Sequence, residues 1–137
     1  MKVVIDTNVL VSGLIFGGTP ARILTAWSDG QFRLVASPEI LDEYRRVGQA
    51  LAAGREPLVR ALDALLAMVA VHATVVNAPA LASRVCEDPD DDKFLAAALA
   101  GGATVVVSGD KHLLRVSGWQ SIDVLTPRQF VDRQLHA

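Results

Sequence analysis

Residues 103–108 read ATVVVS, and the character of these six residues decides the fold class. Thr104 to Val107 are all β-branched, and Val105, Val106 and Val107 follow one another with no polar residue between them. A strand with one wet face alternates apolar and polar side chains. An unbroken apolar run marks a strand covered on both faces, as in a parallel sheet flanked by helices. The adjoining sequence supplies such helices. Upstream, "CEDPDDDKFLAAALA" (86–100) runs into a helix stopped by Gly101-Gly102, and downstream "DKHLLRV" forms a short one.

Working outward, strands and helices alternate. "KVVI" (2–5) reads as a buried strand ending at Asp6. "TPARILTAWSDG" is a helix with Thr19 as N-cap, Pro20 at its first position and Gly30 past its end. "FRLVA" (32–36) is a second strand, and "SPEILDEYRRV" a helix capped by Ser37 with Pro38 following. The spacing predicts a helix from about Pro57 to Met68, a strand over 71–76 and a short helix over 78–85. "IDVL" (122–125) is a last strand, and "TPRQFVDRQL" a closing helix capped by Thr126. Positions 48–57 fit a loop or an extension of either neighbouring helix. The alternation implies an α/β protein with a central, mostly parallel sheet. Its 137 residues form a single domain, 1–137.

Composition narrows the function. Hydrophobic residues make up 51% of the chain, which excludes disorder for most of it. Thirteen Lys and Arg against 15 acids leave a formal charge of −2, which is not the general basic coat of a nucleic-acid binder. Cys86 is the only cysteine, so no disulfide framework or thiolate cluster exists, and a reducing cytoplasm is the expected compartment. The first residues resemble a signal peptide, but Asp6 and Asn8 interrupt the apolar stretch and no A-x-A site follows. No uninterrupted apolar stretch is long enough to span a membrane.

Four acids stand where solvent does not explain them. Ligands of an open parallel sheet bind beyond the carboxyl ends of its strands, which is where Asp6 and Asp110 fall. Glu43 borders the apolar stripe of Ile40, Tyr44 and Val47. An acid there needs a partner, and Arg46 is the plain structural one. Five acids crowd positions 87–92. A helix N-terminus accounts for most of them, with Asp90 and Asp91 as caps and first-turn charges. Asp92 instead extends the inward stripe of Leu95, Ala98 and Leu99, and Asp88 aligns with it if the helix begins early. Carboxylates that converge without paired His or Cys suit Mg²⁺ or Mn²⁺. Bound ions would also reconcile the net negative charge with a phosphodiester substrate.

These residues carry a family resemblance. "VVIDTNVLVSGL", "SPEILDEYRRV", "DPDDDKFLAAALAGGATVVVSGDKHLL" and "VLTPRQFV" resemble, in order, the PIN-domain family, and within it the VapC-like toxin ribonucleases of toxin–antitoxin systems. The resemblance implies a three-layer α/β/α sandwich and Mg²⁺- or Mn²⁺-dependent endonucleolytic cleavage of single-stranded RNA. It places the catalytic and metal-binding acids at Asp6, Glu43, Asp92 and Asp110, with Asn8 and Ser108 in support. It also implies a cognate antitoxin and a homodimer. One position departs from the family: where many relatives carry another Asp after "SGDK", this chain has His112. That substitution leaves a second reading open, a non-catalytic PIN-like module binding RNA or protein with an incomplete metal site. A third, a receiver- or phosphatase-type phosphoryl-transfer domain, is disfavoured because "DTNVL" lacks the second Asp and the Thr of a DxDxT start.

Other residues read as structural. His72 falls in a strand and His136 near the C-terminal end. Trp27 and Trp119 suit packing, and Cys86 a small buried site. Arg45, Arg46, Lys93, Lys111 and Arg115 flank the acids, as phosphate contacts or as solvated helix faces.

Overall fold

The computed structural model describes residues 1–135, so His136 lies outside the described residues. Among these residues five strands form one sheet: β1 (Lys2–Ile5), β2 (Arg33–Ala36), β3 (Thr74–Val75), β4 (Val105–Val107) and β5 (Asp123–Leu125). Their order is β3-β2-β1-β4-β5 and every pairing is parallel. Val3, Val4 and Ile5 are all fully buried, as are Val106 and Val107. Successive residues of a strand point to opposite faces, so both faces of the sheet are covered. This is the α/β sandwich expected from the unbroken apolar strands.

Among the described residues seven α-helices surround the sheet: α1 (Thr7–Ile15), α2 (Gly18–Ser28), α3 (Pro38–Ala52), α4 (Glu56–His72), α5 (Asp92–Gly101), α6 (Lys111–Leu114) and α7 (Pro127–Gln134). Ser37 caps α3 through the Ile40 amide, and Thr126 and Gln129 form a reciprocal capping box on α7. α5 ends at Gly102, whose left-handed φ of 71° suits a residue without a Cβ. No single helix among the described residues is long and apolar enough to cross a membrane.

The structure departs from the sequence expectations in four places. α1 was not signalled, because Thr7, Val9, Leu10, Val11 and Gly13 are all buried and leave no amphipathic stripe. α2 starts at Gly18 after Gly17, whose φ is 76°, so Thr19 lies inside the helix and is not its cap. α4 runs on to His72, which shortens the expected strand 71–76 to two residues and removes His72 from it. Residues 78–85 form no helix; Ala78, Leu81 and Val85 pack on the core from an irregular segment. The open stretch 48–57 divides between the end of α3 and the start of α4.

The topology fixes where a site can form. From β1 the chain moves outward to β2 and β3, then crosses back to place β4 on the other side of β1. The crevice at the carboxyl ends of β1 and β4 is therefore the switch point of the sheet, the place where ligands of such folds bind. Asp6 directly follows β1, and Ser108 and Asp110 follow β4.

Candidate metal centre

Asp6 is almost fully buried, at 6% exposure. Its amide is held by the Val107 carbonyl at 2.9 Å, which locks it to the end of β4. Ser108, wholly buried, donates its hydroxyl to Asp6 Oδ2 at 2.6 Å and accepts the Asp110 amide at 2.9 Å. One hydroxyl thus ties together the acids of two strand ends. Asp110 caps α6, accepting the His112 amide at 2.7 Å. Burial raises the Asp6 pKa, the Ser108 and Asn8 hydrogen bonds oppose the rise, and the charges of Asp110 and Glu43 add to it. Asn8 itself is exposed and acts through its backbone amide.

The acid run at 87–92 resolves into separate roles. Asp88 caps a short 3-10 turn over Pro89–Asp91 by accepting the Asp90 amide. Asp92 opens α5 and is half-buried, with both oxygens engaged by backbone. Its two oxygens accept the amides of Val85 and Cys86, at 2.9 and 2.7 Å. It holds the irregular segment against α5. The acid that joins the cluster is Asp91. Burial, then Asp110, Asp88 and Asp6 in turn, push its pKa up to about 6, with His112 pulling the other way. Asp91 Oδ2 is buried and has no hydrogen-bond partner. Leu99, expected inside, is 49% exposed, and Ala97 takes the inward place.

Glu43 borders the core as expected, with Ile40 and Tyr44 fully buried beside it. Its partner is not Arg46, which pairs with Asp42 at the surface. One Glu43 oxygen accepts the Thr7 hydroxyl, and the other meets Lys93 Nζ at 2.8 Å. Lys93 also reaches the Asp90 carboxylate at 2.9 Å and its carbonyl at 3.0 Å. By sequence Lys93 reads as a phosphate contact or a solvated residue; the structure buries it, with 6% of its side chain exposed. Burial alone would lower its pKa, but Glu43 and Asp90 outweigh that and the net shift is upward, so it stays charged. The apolar stem of Lys at the start of an otherwise apolar helix is the signal that foreshadows this placement.

His112 completes the outer side. Its Nδ1 lies 3.8 Å from both Asp91 Oδ2 and Asp110 Oδ1, and its Nε2 lies 3.6 Å from Glu87. Glu87 in turn pairs with Arg115 at 3.0 Å. One ligand atom each from Asp88, Asp91 and His112 lie within 4.8 Å of one another. The His112 distances to Asp91 and Asp110 are too long for hydrogen bonds and suit atoms sharing an ion. The Cys86 thiol, pushed up to about 12 by burial and by Asp92, Asp91 and Asp110, supplies no thiolate at neutral pH. The donor set is oxygen with one imidazole, and the orphaned buried oxygen of Asp91 needs a cation or a proton. A divalent ion fits it.

An open cleft lies beside Asp6 and Asp110, walled by Asn8, Ser12, Pro20 and Pro127. A second cleft, at Trp27, Phe32, Met68 and His72, carries no acid and is remote in composition from the cluster.

Comparison with known proteins adds two findings. The family model described as PIN domain matches residues 2–112, a span that contains every acid of the cluster. An uncharacterized protein of Methanocaldococcus jannaschii is 32% identical over 143 residues, which cover 96% of this chain and 90% of that relative.

Proposed function

This chain belongs to the PIN-domain family, and from that membership we propose that its acid cluster is the divalent-ion centre of an endoribonuclease. PIN domains are generally nucleases and typically bind divalent metal ions. The observation that carries the reading is the unpartnered, buried Asp91 Oδ2 beside Asp6 and Asp110 at the switch point of the sheet. Asp6, Asp91 and Asp110 would hold the ion, with His112 and Asp88 on its outer side. A bound Mg²⁺ or Mn²⁺ supplies Lewis-acid activation of water and neutralises charge on the phosphate. Ser108 keeps Asp6 and Asp110 in register for it. The cleft beside Asp6 offers Asn8 and Ser12 as polar contacts and no Lys or Arg, so attraction of a phosphodiester depends on the cation.

The substrate is single-stranded RNA, and the protein is the toxin of a toxin–antitoxin pair. The ordered resemblance of "VVIDTNVLVSGL" and "DPDDDKFLAAALAGGATVVVSGDKHLL" to VapC-like ribonucleases supports both statements. A cognate antitoxin and a homodimer belong to the same proposal. The test is cleavage of a mixed RNA panel by wild type and Asp91→Asn in EDTA, Mg²⁺ and Mn²⁺. Cutting that needs metal and vanishes in the variant supports the nuclease. Cutting in EDTA, or at the wild-type rate in Asp91→Asn, overturns the assignment. Metal binding without cutting would instead favour the binding-module reading, and His112→Asp would then be examined for restored turnover. Growth arrest on expression, absent for Asp91→Asn, tests the toxin role.

A further inference from the structure

The two ends of the acid cluster differ in how their oxygens are satisfied. At one end Asp91 Oδ2 is buried and unpartnered. At the other, both Glu43 oxygens are occupied, by Thr7 and by Lys93. Lys93 is equally saturated. An ammonium has three N–H donors, and here they meet Glu43 Oε1, Asp90 Oδ2 and the Asp90 carbonyl at 2.8, 2.9 and 3.0 Å. With 6% of its side chain exposed and its ammonium enclosed by these three oxygens, Lys93 is not placed to bind a substrate phosphate.

The geometry points to Lys93 as a built-in cation that occupies the Glu43 end of the cluster, so that Glu43 is not a metal ligand and the centre takes one divalent ion. This rests on the reading of the cluster as a divalent-ion centre. Lys93 is here a positioning residue: it acts through Glu43 and through the Asp90 carbonyl, which fixes the turn that carries Asp91. Glu43 and Asp90 together present the carboxylate oxygens that a second divalent ion would need, and the ammonium stands between them. A permanent monovalent charge at that place also limits repulsion among the acids without any ion bound.

The test measures Mn²⁺ stoichiometry and affinity by calorimetry, with free Mn²⁺ followed by electron paramagnetic resonance. Wild type, Glu43→Gln, Lys93→Met and Asp91→Asn are compared. The expected results are one ion for wild type, affinity within about threefold of wild type for Glu43→Gln, and a second ion for Lys93→Met. Two ions in wild type overturn the inference, as does a tenfold or greater affinity loss in Glu43→Gln. A single ion in folded Lys93→Met overturns the part given to Lys93. If Lys93→Met does not fold, the wild-type stoichiometry and Glu43→Gln still decide whether Glu43 is a ligand. Failure of the underlying reading looks different: wild type and Asp91→Asn then bind Mn²⁺ equally or not at all, which removes the inference with it.

Discussion

Asp91 and Asp92 are chain neighbours of identical chemistry, yet they face opposite circumstances. Asp92 accepts two backbone amides and is satisfied within the protein. Asp91 is partly buried among acids with one oxygen unpartnered. The same contrast recurs among the other acids, where Glu43 is matched by Lys93 and Thr7 while Asp6 and Asp91 have their pKa values raised. Satisfied acids build the frame, and the unsatisfied ones create demand for a cation. An acid's role follows from which donors reach it, not from its charge.

The sharpest way to break this comparison is to neutralise each neighbour in turn. Asp91→Asn is expected to lower metal-dependent RNA cleavage on the order of a hundredfold or more, read in single-turnover assays. Asp92→Ala is expected to act on the fold. It leaves the Val85 and Cys86 amides without their acceptor, which costs about 2 kcal/mol in urea denaturation, while Mn²⁺ stoichiometry stays that of wild type. If the two variants exchanged phenotypes, the roles given to the neighbours would be reversed.

Ser108→Ala sharpens the picture of the Asp6–Asp110 tie. It removes the hydroxyl bridging the two strand ends, and Mn²⁺ affinity is expected to fall about tenfold with the fold intact. Titration calorimetry and a circular dichroism melt together measure this.

The smallest effect is on pH dependence. Asp91 rises from 3.8 to about 6 on folding, so the folded state holds its proton more tightly than the unfolded one. Its stabilising contribution is full below pH 3.8 and is lost as pH rises through about 6. In metal-free protein, Asp91→Asn is therefore expected to be more stable than wild type at pH 7.5, by about 1 kcal/mol after allowance for solvent screening, and the gap closes toward pH 4. Added Mn²⁺ reverses the order at pH 7.5 by stabilising wild type alone.

Much of this was legible in the residue order. The apolar run Val105–Val107 announces a strand buried on both faces, and Ser37, Thr126 and Gly102 mark helix ends by their own backbone chemistry. Asp6, Ser108 and Asp110 could be placed because a strand end is a local feature and the switch-point rule supplies the rest. Glu43 was legible as a half-buried acid, since helical spacing reports which side of a helix a residue occupies.

What a side chain meets on that side was not legible. The spacing of Asp92 to Leu95 and Ala98 marks it as an acid beside the apolar stripe, but the amides of Val85 and Cys86 reach it only because residues 78–85 stay irregular. Asp91 lies at the end of the 3-10 turn, and a helical phase of 100° per residue separates neighbours that the sequence presents as equals. The partner of Glu43 is fifty residues away on α5, beyond any local pattern. The sequence by itself determined the parallel sheet, the strand-end acids and the family. Only the tertiary structure decided which acids are satisfied and which are left facing one another, because partners from distant segments, not spacing, set the energy of a buried charge.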